Sequence, residues 1–139
     1  MRKYIVFVGI GNVGKTSSIR KLWELLSGKK RPDDEGDFHD ILANYRNYKI
    51  GFHSWGDNVY YLKEYKGGIP DLEKKSCEII VGAAKSSGAT QKFFCDKANK
   101  ADIFWVGKVC KSTGEQSITL AASHAKILID TLTNEKKQK

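Results

Sequence analysis

The feature that most constrains this chain is a glycine-rich segment at residues 9–16, which lies between an apolar run and an amphipathic stretch. The residues before it, 4–8, read Tyr-Ile-Val-Phe-Val and predict a strand that is buried on both faces of a sheet. After it, apolar residues recur at helical spacing, which predicts a helix that begins near Lys15 and ends before Gly28. Its apolar positions are Ile19, Leu22, Trp23 and Leu26. A strand, a glycine loop and a helix in this order indicate an α/β domain.

The glycine-rich segment itself indicates a phosphate-binding loop, because Gly-Ile-Gly-Asn-Val-Gly-Lys-Thr matches GxxxxGK[ST] at every fixed position. Glycines let the backbone curl so that successive N–H groups point at phosphate oxygens, and the positive end of the following helix faces the same place. Lys15 is expected to contact the β and γ phosphates of a nucleoside triphosphate, and the Thr16 hydroxyl to bind Mg²⁺. The predicted nucleotide-binding residues are Gly9, Gly11, Asn12, Val13, Gly14, Lys15, Thr16 and Ser17. A turn that merely uses glycines is the less favoured alternative.

With this motif in its strand-to-helix context, residues 4–27 resemble the P-loop NTPase superfamily, whose Walker A motif corresponds to residues 9–16. The resemblance implies a three-layer α/β/α sandwich with a mostly parallel sheet. It also implies Mg²⁺ as cofactor and ATP or another nucleoside triphosphate as partner. The chain is similar as well to small uncharacterised bacterial or phage P-loop proteins that carry Ser-x-Gly-Asp after a hairpin, a likeness that implies no particular substrate.

The rest of the chain alternates predicted strands and helices, which favours a mostly parallel sheet with one antiparallel hairpin strand. The predicted elements are a hairpin at 40–45 and 48–54, a helix at 58–65 ended by Gly-Gly-Ile-Pro, a strand at 78–84, a helix at 90–98, a strand at 103–106 and a last helix with one apolar face. The polar loop 29–37 is expected to be mobile. We predict one nucleotide-binding domain over residues 1–134 and a basic tail at 135–139.

A carboxylate for the metal is the second requirement that the resemblance sets, since P-loop proteins place one at the tip of a strand beside the loop strand. Asp57, in Ser-Trp-Gly-Asp at residues 54–57, is the candidate, with Ser54 and the Gly56 N–H as companions near the γ phosphate. The implied catalytic residues are Lys15 and Asp57, and the implied metal ligands are Thr16 and Asp57. The alternative is that Asp57 only caps the helix predicted at 58–65.

The sequence says less about which reaction the chain catalyses than about which ligand it binds. A small ATPase or nucleotide-dependent switch is the leading interpretation, with an atypical small kinase and a non-catalytic nucleotide sensor as alternatives. A small GTPase is less favoured, because Asn-Lys-Ala-Asp at 99–102 precedes a strand instead of following one, and Asp-Asp-Glu-Gly at 33–36 lies in a loop. A typical nucleoside monophosphate kinase is disfavoured because the C-terminal two-thirds of the chain lacks arginine for a lid.

The composition narrows the partners and the cellular setting. A net charge of +8 suits an anionic ligand, and because the basic residues are spread along the chain, nucleic acid is open as a partner but not favoured. No apolar run reaches the roughly 20 residues of a membrane span, so we expect no membrane contact and a cytoplasmic location. Cys77, Cys95 and Cys110 show no CxxC spacing, and the three histidines show no ligand pattern, so both sets are interpreted as structural. The oligomeric state stays open.

Overall fold

The computed structural model describes residues 2–9, 15–32, 36–85, 88–107 and 115–136 as an α/β fold. The strands are β1 Arg2–Val8, β2 His39–Tyr45, β3 Tyr48–His53, β4 Ile79–Ala84 and β5 Ala101–Val106. The helices are α1 Lys15–Ser27, α2 Val59–Lys63, α3 Gly68–Lys74, α4 Ala89–Cys95 and α5 Glu115–Lys136, with a 3₁₀ turn at Tyr65–Gly67. The mostly parallel α/β class and the single antiparallel pair agree with the sequence prediction.

The five strands form one sheet in the order β2-β3-β4-β1-β5. β4 pairs in parallel with both β1 and β3, β5 pairs in parallel with β1, and β2 pairs antiparallel with β3. Every residue of β4 is buried, whereas the edge strand β2 is half exposed. The continuous apolar runs of β1 and β4 therefore occupy the centre of the sheet, as expected for strands that are covered on both faces.

Helices pack on both faces of the sheet, as expected for a three-layer arrangement. On one face, α1 and α5 bury apolar residues that include Ile19, Leu22, Ala122 and Ile129. On the other face, α2, α3 and α4 bury Leu62, Ile69, Leu72 and Phe94. The apolar face predicted for the last helix is confirmed, because its buried positions recur at helical spacing.

One local feature differs from the prediction for a physical reason, whereas the predicted hairpin turn at residues 46–47 is confirmed. The segment Gly-Gly-Ile-Pro was expected to end the helical region, but α3 begins at Gly68. Pro70 is in the first turn of α3, where a missing backbone N–H costs nothing, so the proline does not stop the helix. The hairpin turn at Arg46 and Asn47 has φ of 54° and 71°, which are left-handed values that asparagine tolerates well.

The described part of the loop expected to be mobile is anchored by Arg31. The guanidinium of Arg31 lies 4.5 Å from the Trp23 ring centroid and 4.1 Å from that of Phe38. It also forms an ion pair of 2.8 Å with Asp40, and its backbone N–H donates to the carboxylate of Glu24 at 3.0 Å. These contacts tie the loop to α1 and to β2, which the sequence pattern did not reveal.

Candidate functional site

A polar cavity of about 420 Å³ lies at one edge of the sheet. The carboxyl ends of β1, β3 and β4 meet at this edge because these strands are parallel, and β2 begins there because it runs antiparallel. The cavity is lined by Lys15, Thr16, Ser17, Asp37, Ser54, Gly56 and Asp57. Ligands of open α/β sheets bind at the carboxyl ends of the strands, so this cavity is where a ligand is expected.

Lys15 places a buried ammonium at the floor of the cavity. Its side chain is 7% exposed, and its Nζ donates to the carbonyl oxygens of Gly9 at 3.0 Å and Ala84 at 3.5 Å. Among the described residues, the one carboxylate within 4 Å of this ammonium is that of Asp57, at 3.8 Å. Burial lowers the pKa of Lys15 below its usual value, and the Asp57 charge opposes that shift. The ammonium therefore faces a cavity in which an anion would relieve its desolvation.

A hydrogen-bonded group on the other side of the cavity joins α1 to the hairpin of β2 and β3. The Thr16 hydroxyl and the Ser54 hydroxyl both donate to Oδ1 of Asp37, the latter at 2.9 Å. Oγ of Ser54 also accepts from the backbone N–H of Phe38 at 2.8 Å. Since Asp37 takes the Thr16 hydroxyl hydrogen, the lone pairs of Thr16 are left for another partner.

Asp37 is the residue of this site that the sequence analysis missed. It lies in the loop that precedes β2, and loops before strands usually lie at the opposite edge of a parallel sheet. Because β2 is antiparallel, its first residue lies beside the last residue of β3, with His39 paired to His53. The hairpin predicted at 40–45 and 48–54 contained part of this signal, since antiparallel pairing brings the residues that precede its first strand close to Ser54 at the end of its second.

Asp57 reaches the cavity by a route that the sequence analysis did not foresee. The premise that β3 lies beside β1 was wrong, because β4 lies between these two strands. The chain after β3 crosses the end of β4 at Gly56, where a Cβ would lie 2.3 Å from the Ala83 carbonyl oxygen. Without a side chain at Gly56 the backbone approaches β4 closely enough to bring the Asp57 carboxylate to Lys15.

The alternative role of Asp57 as a helix cap is wrong. α2 begins at Val59, and its N-cap is Asn58, whose side chain accepts from the backbone N–H of Tyr61 at 3.0 Å. The side chain of Asp57 is 65% exposed and faces the cavity instead. Its carboxylate is therefore not required by the start of the helix.

The remaining predicted residues divide into those the structure places and those it does not. Gly9 contributes its carbonyl oxygen to Lys15, and its N–H donates to Ala84 at 3.2 Å. Ser17 lines the cavity. Gly11, Asn12, Val13 and Gly14 lie outside the described residues.

The Asn-Lys-Ala-Asp segment at 99–102 lies at the other edge of the sheet. Ala101 pairs with Arg2 at the beginning of two parallel strands, whereas the cavity lies beyond their ends. Asp102 forms an ion pair with Lys3 there. A guanine-reading role for this segment at the cavity is therefore excluded by its position in the described sheet.

The donors around the cavity fit Mg²⁺ bound together with a phosphate. Mg²⁺ prefers oxygen ligands, keeps several waters and commonly binds through one carboxylate and the phosphates of a substrate. The Thr16 hydroxyl and the Asp57 carboxylate line the same cavity and supply two such oxygens. In the described ranges no group of three or more His, Cys, Asp or Glu side chains is arranged to hold a metal ion. The protein ligands alone would thus leave most of the coordination shell to phosphate and water.

Comparisons of the chain with protein-family models, with curated proteins and with solved structures found no match. None of the helices in the described parts of the chain is long and apolar enough to cross a membrane. The case for a function therefore depends on the cavity and on the residues that line it.

Proposed function

We propose that this chain binds a nucleoside triphosphate, ATP in the first instance, together with Mg²⁺ in the cavity at the carboxyl ends of the strands. The observation that carries the proposal is the buried Lys15 ammonium, which is held by two carbonyl oxygens and faces a polar cavity. A buried cation that is paired with one largely exposed carboxylate at 3.8 Å is still costly, and a polyphosphate is the ligand that would offset this cost best.

The residues around the ammonium have distinct roles in this proposal. Lys15 neutralises phosphate charge, while the Thr16 hydroxyl and the Asp57 carboxylate bind Mg²⁺. Asp37 positions Thr16 by accepting its hydroxyl hydrogen, which directs the Thr16 lone pairs away from the carboxylate. The helix that begins at Lys15 adds the positive end of its dipole to the same site.

The second part of the proposal is that the chain is either a small ATPase, which turns the nucleotide over, or a nucleotide-dependent switch, which responds to binding alone. The hairpin supports the switch, because Thr16 on α1 is joined through Asp37 to Ser54 at the end of β3. A ligand that changes the Thr16 contact therefore acts directly on the hairpin. Release of inorganic phosphate from Mg²⁺–ATP by the purified chain separates an ATPase from a switch or sensor that only binds.

Calorimetric titration of the Lys15→Met variant with Mg²⁺–ATP tests the binding. Methionine keeps the length of the buried stem and removes the charge, and we expect affinity to fall at least about tenfold because a charge-assisted contact is lost. The matched control is Lys63→Met, since Lys63 is an exposed lysine at the end of α2. Equal affinity of Lys15→Met and the unsubstituted chain contradicts the proposal.

A further inference from the structure

A chain of hydrogen bonds crosses the hairpin at His39 and His53, which lie within two residues of the cavity residues Asp37 and Ser54. The Nδ1 atoms of His39 and His53 lie 2.8 Å apart. At the outer ends, Nε2 of His39 lies 2.7 Å from the carboxylate of Asp71 on α3, and Nε2 of His53 lies 2.7 Å from the carbonyl oxygen of Tyr61 on α2. Four separate elements therefore meet through two imidazole rings.

The number of hydrogens on these rings follows from their partners. A carboxylate and a carbonyl only accept hydrogen bonds, so both Nε2 atoms must carry a hydrogen. The two Nδ1 atoms form a hydrogen bond with each other when one hydrogen lies between them. Three hydrogens on the four ring nitrogens of His39 and His53 give the pair one positive charge.

The charge belongs on His39. The side chain of His53 is fully buried, and burial is the main cause that lowers the pKa of His53 to about 4. His39 is 14% exposed and donates directly to the Asp71 carboxylate. An imidazolium at His39 beside a carboxylate, and a neutral ring at His53, satisfy all three hydrogen bonds.

The charged groups around the pair come from each element packed against it. Asp71 on α3 contacts His39 through Oδ2, and Nζ of Lys75, the residue after α3, lies 3.3 Å from the same oxygen. Asp37, before β2, and Asp71 favour the charged form of His53, which His39 opposes. The aromatic ring of Trp55 packs on His53 at 5.4 Å between centroids and adds no charge.

Loss of the shared proton breaks one bond of the chain. The two Nδ1 lone pairs then face each other at 2.8 Å, or a hydrogen moves inward and leaves an Nε2 facing an acceptor. Either arrangement loosens the start of β2 from the end of β3, where His39 and His53 are register partners. Next to this pair, the Ser54 N–H donates to the Phe38 carbonyl oxygen at 3.0 Å, and the Phe38 N–H donates to Oγ of Ser54 at 2.8 Å. These two residues connect the histidine pair to Asp37, which accepts from the Ser54 hydroxyl.

We propose that His39, His53 and Asp71 form a proton-dependent latch that positions Asp37 and Ser54 at the cavity. The latch rests on the proposed function in one respect, since its effect on ligand affinity requires that Mg²⁺–ATP binds there. The histidines are positioning residues, because they act on the cavity through the ends of β2 and β3. The latch is closed when the pair is protonated and opens as pH rises and the shared proton leaves.

Ring-nitrogen NMR of the ¹⁵N-labelled chain and Mg²⁺–ATP calorimetry over a pH series test the latch. At the low-pH end of the series we expect His39 to be doubly protonated and His53 to be neutral, with the hydrogen on Nε2. When the proton shared by the two rings is lost, we expect ATP affinity to fall roughly tenfold, the effect of losing about one buried hydrogen bond. The protection factors of the Phe38 and Ser54 amides, which correct for the rise of intrinsic exchange with pH, should fall over the same pH range.

The Asp71→Asn variant makes the test specific, because an amide can donate where a carboxylate cannot. Its Nδ2 donates to an unprotonated Nε2 of His39, so all bonds are made while the pair is neutral. We expect the pH step in affinity and in amide exchange to disappear. The control Lys75→Gln removes the other charge beside Asp71 and should keep the step.

The outcomes separate the latch from the nucleotide site. A neutral His39 throughout the pH series, or the same pH step in Asp71→Asn as in the unsubstituted chain, overturns the latch. If Mg²⁺–ATP fails to bind at every pH, the proposed function fails. The ring-nitrogen and amide-exchange data still decide whether the proton holds the strand ends together.

Discussion

Replacement of Gly56 by alanine tests the route by which Asp57 reaches Lys15. A Cβ at position 56 would lie 2.3 Å from the carbonyl oxygen of Ala83, 2.5 Å from its carbonyl carbon and 2.7 Å from its Cβ. The first of these separations must grow by about 0.7 Å, from 2.3 Å to the 3.0 Å that real Cβ contacts reach. The obstacle is the backbone of the central strand β4, which cannot move without disturbing its pairing with β1 and β3. The crossing segment must therefore move outward and take Asp57 with it.

Two measurements follow from this displacement. Overpacking of this kind costs about 1–3 kcal/mol, so we expect the free energy of unfolding in urea to fall by that amount in Gly56→Ala. Affinity for Mg²⁺–ATP should fall as well, because the Asp57 carboxylate, the proposed Mg²⁺ ligand that lies 3.8 Å from the Lys15 ammonium in the native chain, moves out of place. The steric argument is wrong if Gly56→Ala binds Mg²⁺–ATP less tightly but keeps the native free energy of unfolding in urea, measured without Mg²⁺.

Gly107→Ala is the matched control, since a Cβ at Gly107 meets nothing within 4 Å. Both substitutions change the entropy of the unfolded chain in the same way, so their difference isolates the contact with Ala83. We expect the control to change stability by no more than about 0.5 kcal/mol, as surface substitutions usually do. If Gly56→Ala matches the control in stability and in ATP affinity, the crossing does not depend on the missing side chain.

The remaining predictions concern the metal, the acid limb of stability and the base. Asp57→Asn should weaken Mg²⁺-dependent ATP binding in calorimetry while the helix content in circular dichroism stays unchanged, because Asn58 and not Asp57 caps α2; an unchanged Mg²⁺ dependence would reject the ligand role. Thr16→Val should likewise reduce the Mg²⁺ dependence, and full retention would exclude the hydroxyl from the metal site. The unfolding free energy should fall as pH drops from 6.5 towards 4, by at most about 3 kcal/mol, because the unfolded chain protonates His53 before the folded chain does; urea unfolding at both ends of this window checks the sign. ATP and GTP should compete for a fluorescent nucleotide analogue within about tenfold of each other, and a GTP preference above about a hundredfold, or 2.7 kcal/mol, would refute the exclusion of residues 99–102.

Local patterns were enough to predict most of the strands and helices. The apolar runs of β1 and β4 and the spacing of Ile19, Leu22 and Leu26 in α1 each reflect burial of one element, which a short stretch of sequence encodes directly. The same holds for Lys15 and Thr16, because their place at the start of α1 follows from the motif and the helix together. These predictions needed no knowledge of which elements become neighbours.

What the sequence did not reveal depends on contacts between distant segments. The order of β3, β4 and β1 is a property of the whole sheet, and no local pattern states that β4 separates the other two. In the sequence nothing distinguishes Asp37 from the other polar residues of its charged loop, because its contact with Ser54 depends on the antiparallel register. The two histidines also lack any ligand spacing, since His39 and His53 meet only across the hairpin.

The antiparallel hairpin determines which strands respond to a ligand in the cavity. In a parallel pair, both strands end at the cavity edge and both begin at the far edge, so the residue before one strand lies far from the residue after the other. Here both open ends of the β2–β3 hairpin lie at the cavity, so Asp37 and Ser54 are bonded to each other as well as to the site. A ligand that alters the hydrogen bond between Thr16 and Asp37 therefore acts on both strands together. The His39–His53 pair joins the same two strands within two residues of Asp37 and Ser54. Nucleotide binding and protonation of the histidine pair would then act on the same few hydrogen bonds between the ends of β2 and β3, which is the physical requirement for coupling between two sites.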